Sequence, residues 1–293
     1  MNGFALEEAD AARHLIRLAL AEDLGTSGDR TTSALIPGDL TGSAAFISRS
    51  PGIVAGLPII SLIADEFEST LHGEMLLADG SPVQPGERLA ILSGSMRSLL
   101  AAERTMLNFL QHLSGIATLT NRYVREIGGT KAKILDTRKT TPGWRRLEKY
   151  AVRMGGGTNH RFGLFDGILI KDNHLAALGD SETAVVRAIE LARAVQDTER
   201  IPIEVEVDTL LQLRQVLPLQ PEIVLLDNMS IADLMQAVEL RDRLAPYTQL
   251  EASGGVSLAT VAAIAQTGVD RISVGALTHS APALDIGLDY QSF

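Results

Sequence analysis

The stretch IPIEVEVDTLLQLRQVLPLQPEIVLLDN, residues 201–228, decides the fold. Its two ends, IPIEVEV (201–207) and EIVLLDN (222–228), are short runs of almost continuous apolar character. A strand reads this way when both of its faces are covered. Residues 208–216 between them read as a helix. Strand, helix, strand in this order is the repeating unit of a parallel sheet clothed in helices.

Outward from this stretch the unit repeats. KILDT (133–137), GILIKD (167–172), QLEASGG (249–255) and RISVGAL (271–277) are further strand-like runs. Helical segments are expected near 144–154, 181–196, 230–243 and 257–266. Six units, with no Gly-x-Gly-x-x-Gly after the first strand, predict a closed or nearly closed TIM-like α/β barrel rather than a dinucleotide-binding sheet, with room for a seventh or eighth strand in the loops.

The chain up to about residue 112 is different. Residues 6–20 have helical spacing, with Leu6, Ala9, Ile16 and Leu20 on the apolar positions. Strand and turn chemistry follows: Ser43–Ala55 broken at Pro51-Gly52, then His72–Ala78, with turns at Asp79-Gly80 and Pro85-Gly86. Met96–Ile127 reads as a long helix with a break near Ser114-Gly115. The expectation is an N-terminal α+β domain over 1–114 and a barrel over 115–279, with 280–293 a candidate to return to the first domain.

Composition narrows the function. The 293 residues carry a net charge of −10, which argues against nonspecific nucleic-acid binding. No apolar run approaches the roughly 20 residues of a membrane span, and the N-terminus lacks the pattern of a signal peptide. Cysteine is absent, so thiolate metal sites are excluded and a reducing cytoplasm is expected. Against this acidic background, Lys131–Arg161 holds nine basic residues and two acids. Arg138, Lys139, His160 and Arg161 fall in Gly- and Thr-rich loops, which points to a site for a small anion rather than a solvated basic helix.

In a barrel the chemistry sits where strands end. Those ends offer Thr137-Arg138-Lys139, Lys171-Asp172-Asn173-His174, Glu204 with Glu206 and Asp208, Asp227-Asn228, Ser253-Gly254-Gly255 and Val274-Gly275-Ala276. The last two groups suit a phosphate: glycine allows close approach, and the amides of a helix start, with Ser257 as its cap, bind anions. Alternation puts Glu204 and Glu206 on one face. Inward carboxylates are costly unless paired or metal-bound, and Asp227 on the next strand is placed to share a Mg²⁺ with Glu206. Lys171 is either a fixed cation for a substrate anion or the amine of a Schiff base, as in aldolases. His160 is the best histidine ligand, and His174 braces its own loop.

These stretches closely resemble the quinolinate phosphoribosyltransferase family. The matching runs are EDLGTSGDRTT (22–32), ERTMLNFLQHLSGIAT (103–118), DTRKTTPGWRRLEKYAVRMGGGTNHRFGLFDGILIKDNH (136–174), EVEV (204–207), LLDN (225–228), SGG (253–255) and VGALTHS (274–280). Trp144 stands where the family often has an aliphatic residue. The resemblance implies an N-terminal α/β sandwich, an open barrel and a homodimer in which Arg104 reaches the neighbouring site. It implies Arg138, His160, Arg161 and Lys171 as quinolinate-binding cations. Lys139, Glu206 and Asp227 then surround phosphoribosyl pyrophosphate (PRPP) and its Mg²⁺, and serve catalysis. Thr137, Ser253, Gly254, Gly255, Val274, Gly275 and Ala276 hold phosphate. The implied reaction joins quinolinate to PRPP with loss of CO₂, giving nicotinate mononucleotide for NAD biosynthesis, with no organic cofactor. The competing expectations are a same-fold enzyme for another heterocyclic acid, an aldolase-type barrel using Lys171, and a noncatalytic nucleotide-binding module.

Overall fold

The computed structural model describes residues 4–67, 70–179, 184–195 and 201–290, which fall into two units. One comprises the chain through Asn121, Lys139–Gly157 and the chain from Ala276. The other comprises Arg122–Arg138 and Thr158–Gly275.

The first unit opens with helices α1 (Leu6–Leu24) and α2 (Arg30–Leu35). Strands β1 (Thr41–Ser48), β2 (Gly52–Ile53), β3 (Leu71–Met75), β4 (Pro82–Val83) and β5 (Arg88–Ser95) follow, with helix α3 (Leu57–Asp65) between β2 and β3. An antiparallel sheet runs in the order β12-β1-β5-β3, where β12 (Ile286–Tyr290) comes from the C-terminal end of the chain. The helix α3 was not legible as one. Its sequence LPIISLIAD is rich in β-branched residues and suits a strand equally well. Its start is held by a distant residue: the Asp79 carboxylate accepts from Gly56 N at 2.8 Å and Leu57 N at 3.0 Å. Tyr150 Oη donates to the same carboxylate at 2.6 Å, and burial pushes the Asp79 carboxyl above its ordinary range.

Helix α4 (Met96–Glu126) runs without the break expected at Ser114-Gly115. Both residues serve packing instead. Ser114 Oγ accepts from Ala55 N at 3.0 Å, and a Cβ on Gly115 would lie 2.2 Å from the Pro282 carbonyl oxygen. The glycine is there for close approach of another backbone. Helix α5 (Arg145–Met154) also belongs to this unit. Here the basic segment divides. Arg146 pairs with Glu7 at 2.6 Å and Arg153 with Glu8 at 3.1 Å, so these two charges fasten α5 to α1 rather than line an anion site. Trp144 stacks on the buried Phe109, with ring centroids 4.7 Å apart, which explains an aromatic residue at that position.

The second unit is a six-stranded sheet of parallel strands, ordered β6-β11-β10-β9-β8-β7. The strands are β6 (Lys133–Leu135), β7 (Ile168–Ile170), β8 (Ile203–Val207), β9 (Ile223–Asp227), β10 (Gln249–Ser253) and β11 (Arg271–Ser273). Strands β7 to β11 are neighbours in chain order, and the first strand, β6, lies beside the last. This is barrel order with one seam left open, between β6 and β7. Thr158 bridges to Leu135 at the β6 side of that seam, donating N–H to the Ile134 carbonyl at 2.8 Å. No seventh strand joins the sheet among the described residues.

Helices α6 (Asp172–Leu178), α7 (Ala184–Val195), α8 (Leu210–Val216), α9 (Ile231–Leu244) and α10 (Val261–Gln266) connect the strands, and α11 (Ala276–His279) follows β11. Residues 181–183 and 196 of the expected 181–196 helix lie outside the described residues. Helix α10 begins at Val261 rather than Ser257, although Val261 N already bonds to the Ser257 carbonyl at 2.9 Å. Val205, Val207, Val224, Leu226, Leu250 and Ala252 are buried on one face. The register aligns Glu206, Leu225, Glu251 and Arg271 across the other. No helix among the described residues is long and apolar enough to cross a membrane.

Candidate functional site

The seam side of the parallel sheet is where charged groups gather. Asp136, fully buried after β6, accepts His160 N–H at 2.8 Å and Asn159 Nδ2–H at 2.6 Å. His160 Nε2 lies 3.1 Å from Glu204 Oε2 and 3.3 Å from Glu251 Oε1. All three side chains are at most 9% exposed. Glu251 also takes Arg271 Nε at 2.6 Å. Burial opposes a charge on His160, but the contacts with the Glu204 and Glu251 carboxylates outweigh it and push the imidazole up to about 9. Burial raises the Glu204 carboxyl. It also pushes on Glu251, where the contacts with His160 and Arg271 win and hold the group low. His160 Nδ1 accepts the Arg161 N–H at 2.8 Å, a contact open only to the neutral ring, and this opposes the upward shift.

Arg161 continues from this corner, with Nη1 donating to the Gly167 carbonyl at 3.1 Å. Burial, and next the nearby Arg138 charge, hold its guanidinium below the ordinary range. A cavity of about 280 Å³ adjoins the corner, lined by His160, Arg161, Glu204 and Arg271 among others.

One turn of alternation further along β8, Glu206 meets a different partner. Lys171 Nζ, just beyond β7, donates to Glu206 Oε2 at 2.5 Å. Glu204 and Glu206 therefore share a face but serve different neighbours. Lys171 N in turn donates to His174 Nδ1 at 3.0 Å, so His174 braces the start of α6. Asp227 ends β9 on the same face, two residues beyond the residue paired with Glu206. Its carboxylate accepts Asn228 Nδ2 at 2.8 Å. Two carboxylates on adjacent strands give a hard oxygen donor pair, the kind that holds Mg²⁺ together with a substrate's phosphates. These carboxylates are of the type that ion takes, with one Glu206 oxygen already on Lys171.

Ser253-Gly254-Gly255 follows β10 with two left-handed residues, Gly254 at φ +88° and Gly255 at φ +60°. A Cβ on Gly254 would lie 2.2 Å from Asn228 Oδ1, whereas one on Gly255 would meet nothing within 4 Å. Gly254 thus packs against the neighbouring strand end while Gly255 borders open space. Asn228 N donates to the Ser253 carbonyl at 2.9 Å and fixes the two strand ends together. Val274 is tied to β6 by its N–H on the Leu135 carbonyl at 2.9 Å, and Gly275 closes this unit.

The expected site residues thus divide. Thr137, Arg138, His160, Arg161, Lys171, Glu206, Asp227, Ser253, Gly254, Gly255, Val274 and Gly275 belong to the parallel-sheet unit. Arg104, exposed on α4, Lys139 and Ala276 belong to the other, where Thr278 Oγ1 donates to the Lys139 carbonyl at 2.7 Å. Glu251, Arg271 and Asp136 were not singled out by the sequence. Alternation in QLEAS, which puts Glu251 on the face of Ser253, was the signal for the first.

A six-stranded open barrel with paired cations and carboxylates at its strand ends is the architecture of an enzyme for small anionic substrates. Residues 29–114 match the N-terminal domain of quinolinate phosphoribosyl transferase, and residues 116–289 match its C-terminal domain. The nicotinate-nucleotide pyrophosphorylase [carboxylating] of Mycobacterium leprae is 49% identical over 284 residues, covering 96% of this chain and 98% of that protein. The probable enzyme of the same name from Bacillus subtilis is 43% identical over 94% of this chain and 92% of its own length. The solved structure of the Francisella tularensis nicotinate-nucleotide pyrophosphorylase superposes with a TM-score of 0.88 at 41% identity, covering 97% of each chain. The chain belongs to the quinolinate phosphoribosyl transferase family.

Proposed function

We infer that this chain is a carboxylating nicotinate-nucleotide pyrophosphorylase, transferring phosphoribosyl from PRPP to quinolinate with loss of CO₂, in NAD biosynthesis. The observation that carries it is the corner where His160 and Arg161 meet, the half-buried Arg161 guanidinium being fixed on the Gly167 carbonyl at 3.1 Å with Lys171 on the neighbouring strand end. Quinolinate has carboxylates on adjacent ring carbons and meets that demand for negative charge. His160 and Lys171 complete the diacid set, and Arg104 joins it from a second copy in a homodimer. Its exposed place on α4 suits that reach.

Thr137, Lys139, the Ser253-Gly254-Gly255 turn and Val274-Gly275-Ala276 hold the donor's phosphates. Glu206 and Asp227 would hold Mg²⁺, which when bound would supply charge neutralisation for the pyrophosphate. The ring nitrogen of quinolinate bonds to the ribose C1 as the C1–O bond to pyrophosphate breaks and its electron pair leaves with pyrophosphate. The ring is then cationic. Its C2–carboxylate bond breaks, CO₂ departs, and the electron pair left on C2 takes a proton. The residues contribute positioning and fixed charge. The Lys171–Glu206 pair favours a fixed cation at Lys171 over a Schiff-base amine. A cytoplasmic setting agrees with the cysteine-free composition.

The test is turnover with PRPP, Mg²⁺ and either quinolinate or nicotinate. Mononucleotide from quinolinate alone supports the reading. Turnover of nicotinate alone contradicts the substrate and leaves the ribosyl transfer. Inertness toward both, in folded protein, contradicts the activity.

A further inference from the structure

Buried carboxylates are expensive, and a packed apolar layer of the same volume is often at least as stable as a buried ion cluster. The parallel-sheet unit nevertheless commits Asp136, Glu204 and Glu251, each at most 4% exposed and each from a different strand or strand end, to one three-residue corner. Asp136 holds the backbone of His160 and the side chain of Asn159. Glu204 and Glu251 face the outer ring nitrogen of His160 from two directions, and Arg271 holds Glu251 in place from the neighbouring strand. The inner ring nitrogen carries the Arg161 amide. Both ring nitrogens are thereby engaged within the protein, and the ring acts as a strut between β8, β10 and the Arg161 backbone.

We propose that Glu204 and Glu251 are positioning residues for diacid recognition: by clamping the His160 ring they set the place of Arg161. Neither carboxylate touches the substrate. Their effect passes through the His160 ring to the Arg161 amide. Without the clamp the Arg161 backbone and its guanidinium, held on the Gly167 carbonyl, shift, and the diacid meets that cation at the wrong position. The inference rests on the proposed quinolinate reading and adds residues to it.

The experiment uses the full chain with Glu251→Gln, Glu251→Ala and Glu204→Gln, measuring KM for quinolinate and for PRPP separately, kcat, and melting temperature. The expected result is a quinolinate KM raised roughly tenfold in the glutamine variants, the size of one lost charge-assisted contact. Glu251→Ala raises it further, and the PRPP KM stays within about twofold in all three. Glutamine keeps an oxygen that can accept from the ring, so partial retention in Glu251→Gln relative to Glu251→Ala is part of the expectation. A purely structural role predicts lower melting temperature and less active protein with both KM values unchanged, and that pattern overturns the proposal. Should one variant fail to fold, another carries the same test, because each removes a carboxylate from the same ring. Absence of quinolinate turnover by the wild-type chain points instead to failure of the functional reading.

Discussion

His160 Nε2 and Glu204 Oε2 lie 3.1 Å apart in a corner nearly closed to water, with Glu251 on the ring's other approach. The contact makes folding stability depend on a proton. The imidazole, ordinarily at 6.5, titrates at about 9 in the folded chain. A group raised in this way stabilises fully below its unfolded pKa and loses that contribution as pH climbs through the folded one. The carboxylates favour the charged ring and the Arg161 N–H on Nδ1 favours the neutral one, so the wild-type chain is expected to lose at most about 2 kcal/mol between roughly pH 6 and pH 10 from this site. In His160→Gln that part of the slope vanishes. Urea midpoints of the two proteins across this range check it, and parallel pH profiles contradict it.

Gly254 and Gly255 separate two reasons for glycine. Gly254→Ala drives a Cβ into Asn228 Oδ1 as well as forcing a left-handed alanine. It is expected to destabilise by about 2–4 kcal/mol and to raise the PRPP KM by more than about tenfold. Gly255→Ala meets only the backbone cost of about 1–2 kcal/mol, because its surroundings are open. Equal melting temperatures for the two variants would sink the distinction.

Gly115 inverts an ordinary rule. In the interior of a helix, glycine to alanine normally gains about 1 kcal/mol. Here the added Cβ lies 2.2 Å from the Pro282 carbonyl and 3.0 Å from Ala283 Cα, so Gly115→Ala is expected to destabilise by about 1–3 kcal/mol. Thermal melting decides the sign.

If Arg104 serves the site of a second copy, inactive Arg104→Ala and inactive Lys139→Ala chains should regain about a quarter of wild-type activity when mixed, from the one intact site in each mixed dimer. Verified mixed dimers with no recovery contradict the shared site.

The strands of the barrel were legible because parallel strands covered on both faces read as apolar runs, and all six are present. The strand-end positions of Lys171, Asp227 and Ser253 followed from the same runs. Depth along a strand was not legible. Alternation places Glu204 and Glu206 on one face, but only the three-dimensional arrangement gives His160 to one and Lys171 to the other. Long-range partners were equally invisible. Helix α3 depends on Asp79, over twenty positions away, and the helical Gly115 on a backbone some 170 residues distant. The basic run at 131–161 was read as one feature, whereas α5 turns Arg146 and Arg153 toward Glu7 and Glu8.

Decarboxylation of a diacid during phosphoribosyl transfer is tested most directly with quinolinate labelled with heavy carbon in either its 2-carboxylate or its 3-carboxylate, together with PRPP, Mg²⁺ and the wild-type chain. The expected result is one labelled CO₂ and one pyrophosphate per nicotinate mononucleotide from the 2-label, and a label retained in the mononucleotide from the 3-label. CO₂ drawn from the 3-carboxylate, CO₂ released without PRPP, or mononucleotide formed with both carboxylates still in place would contradict it.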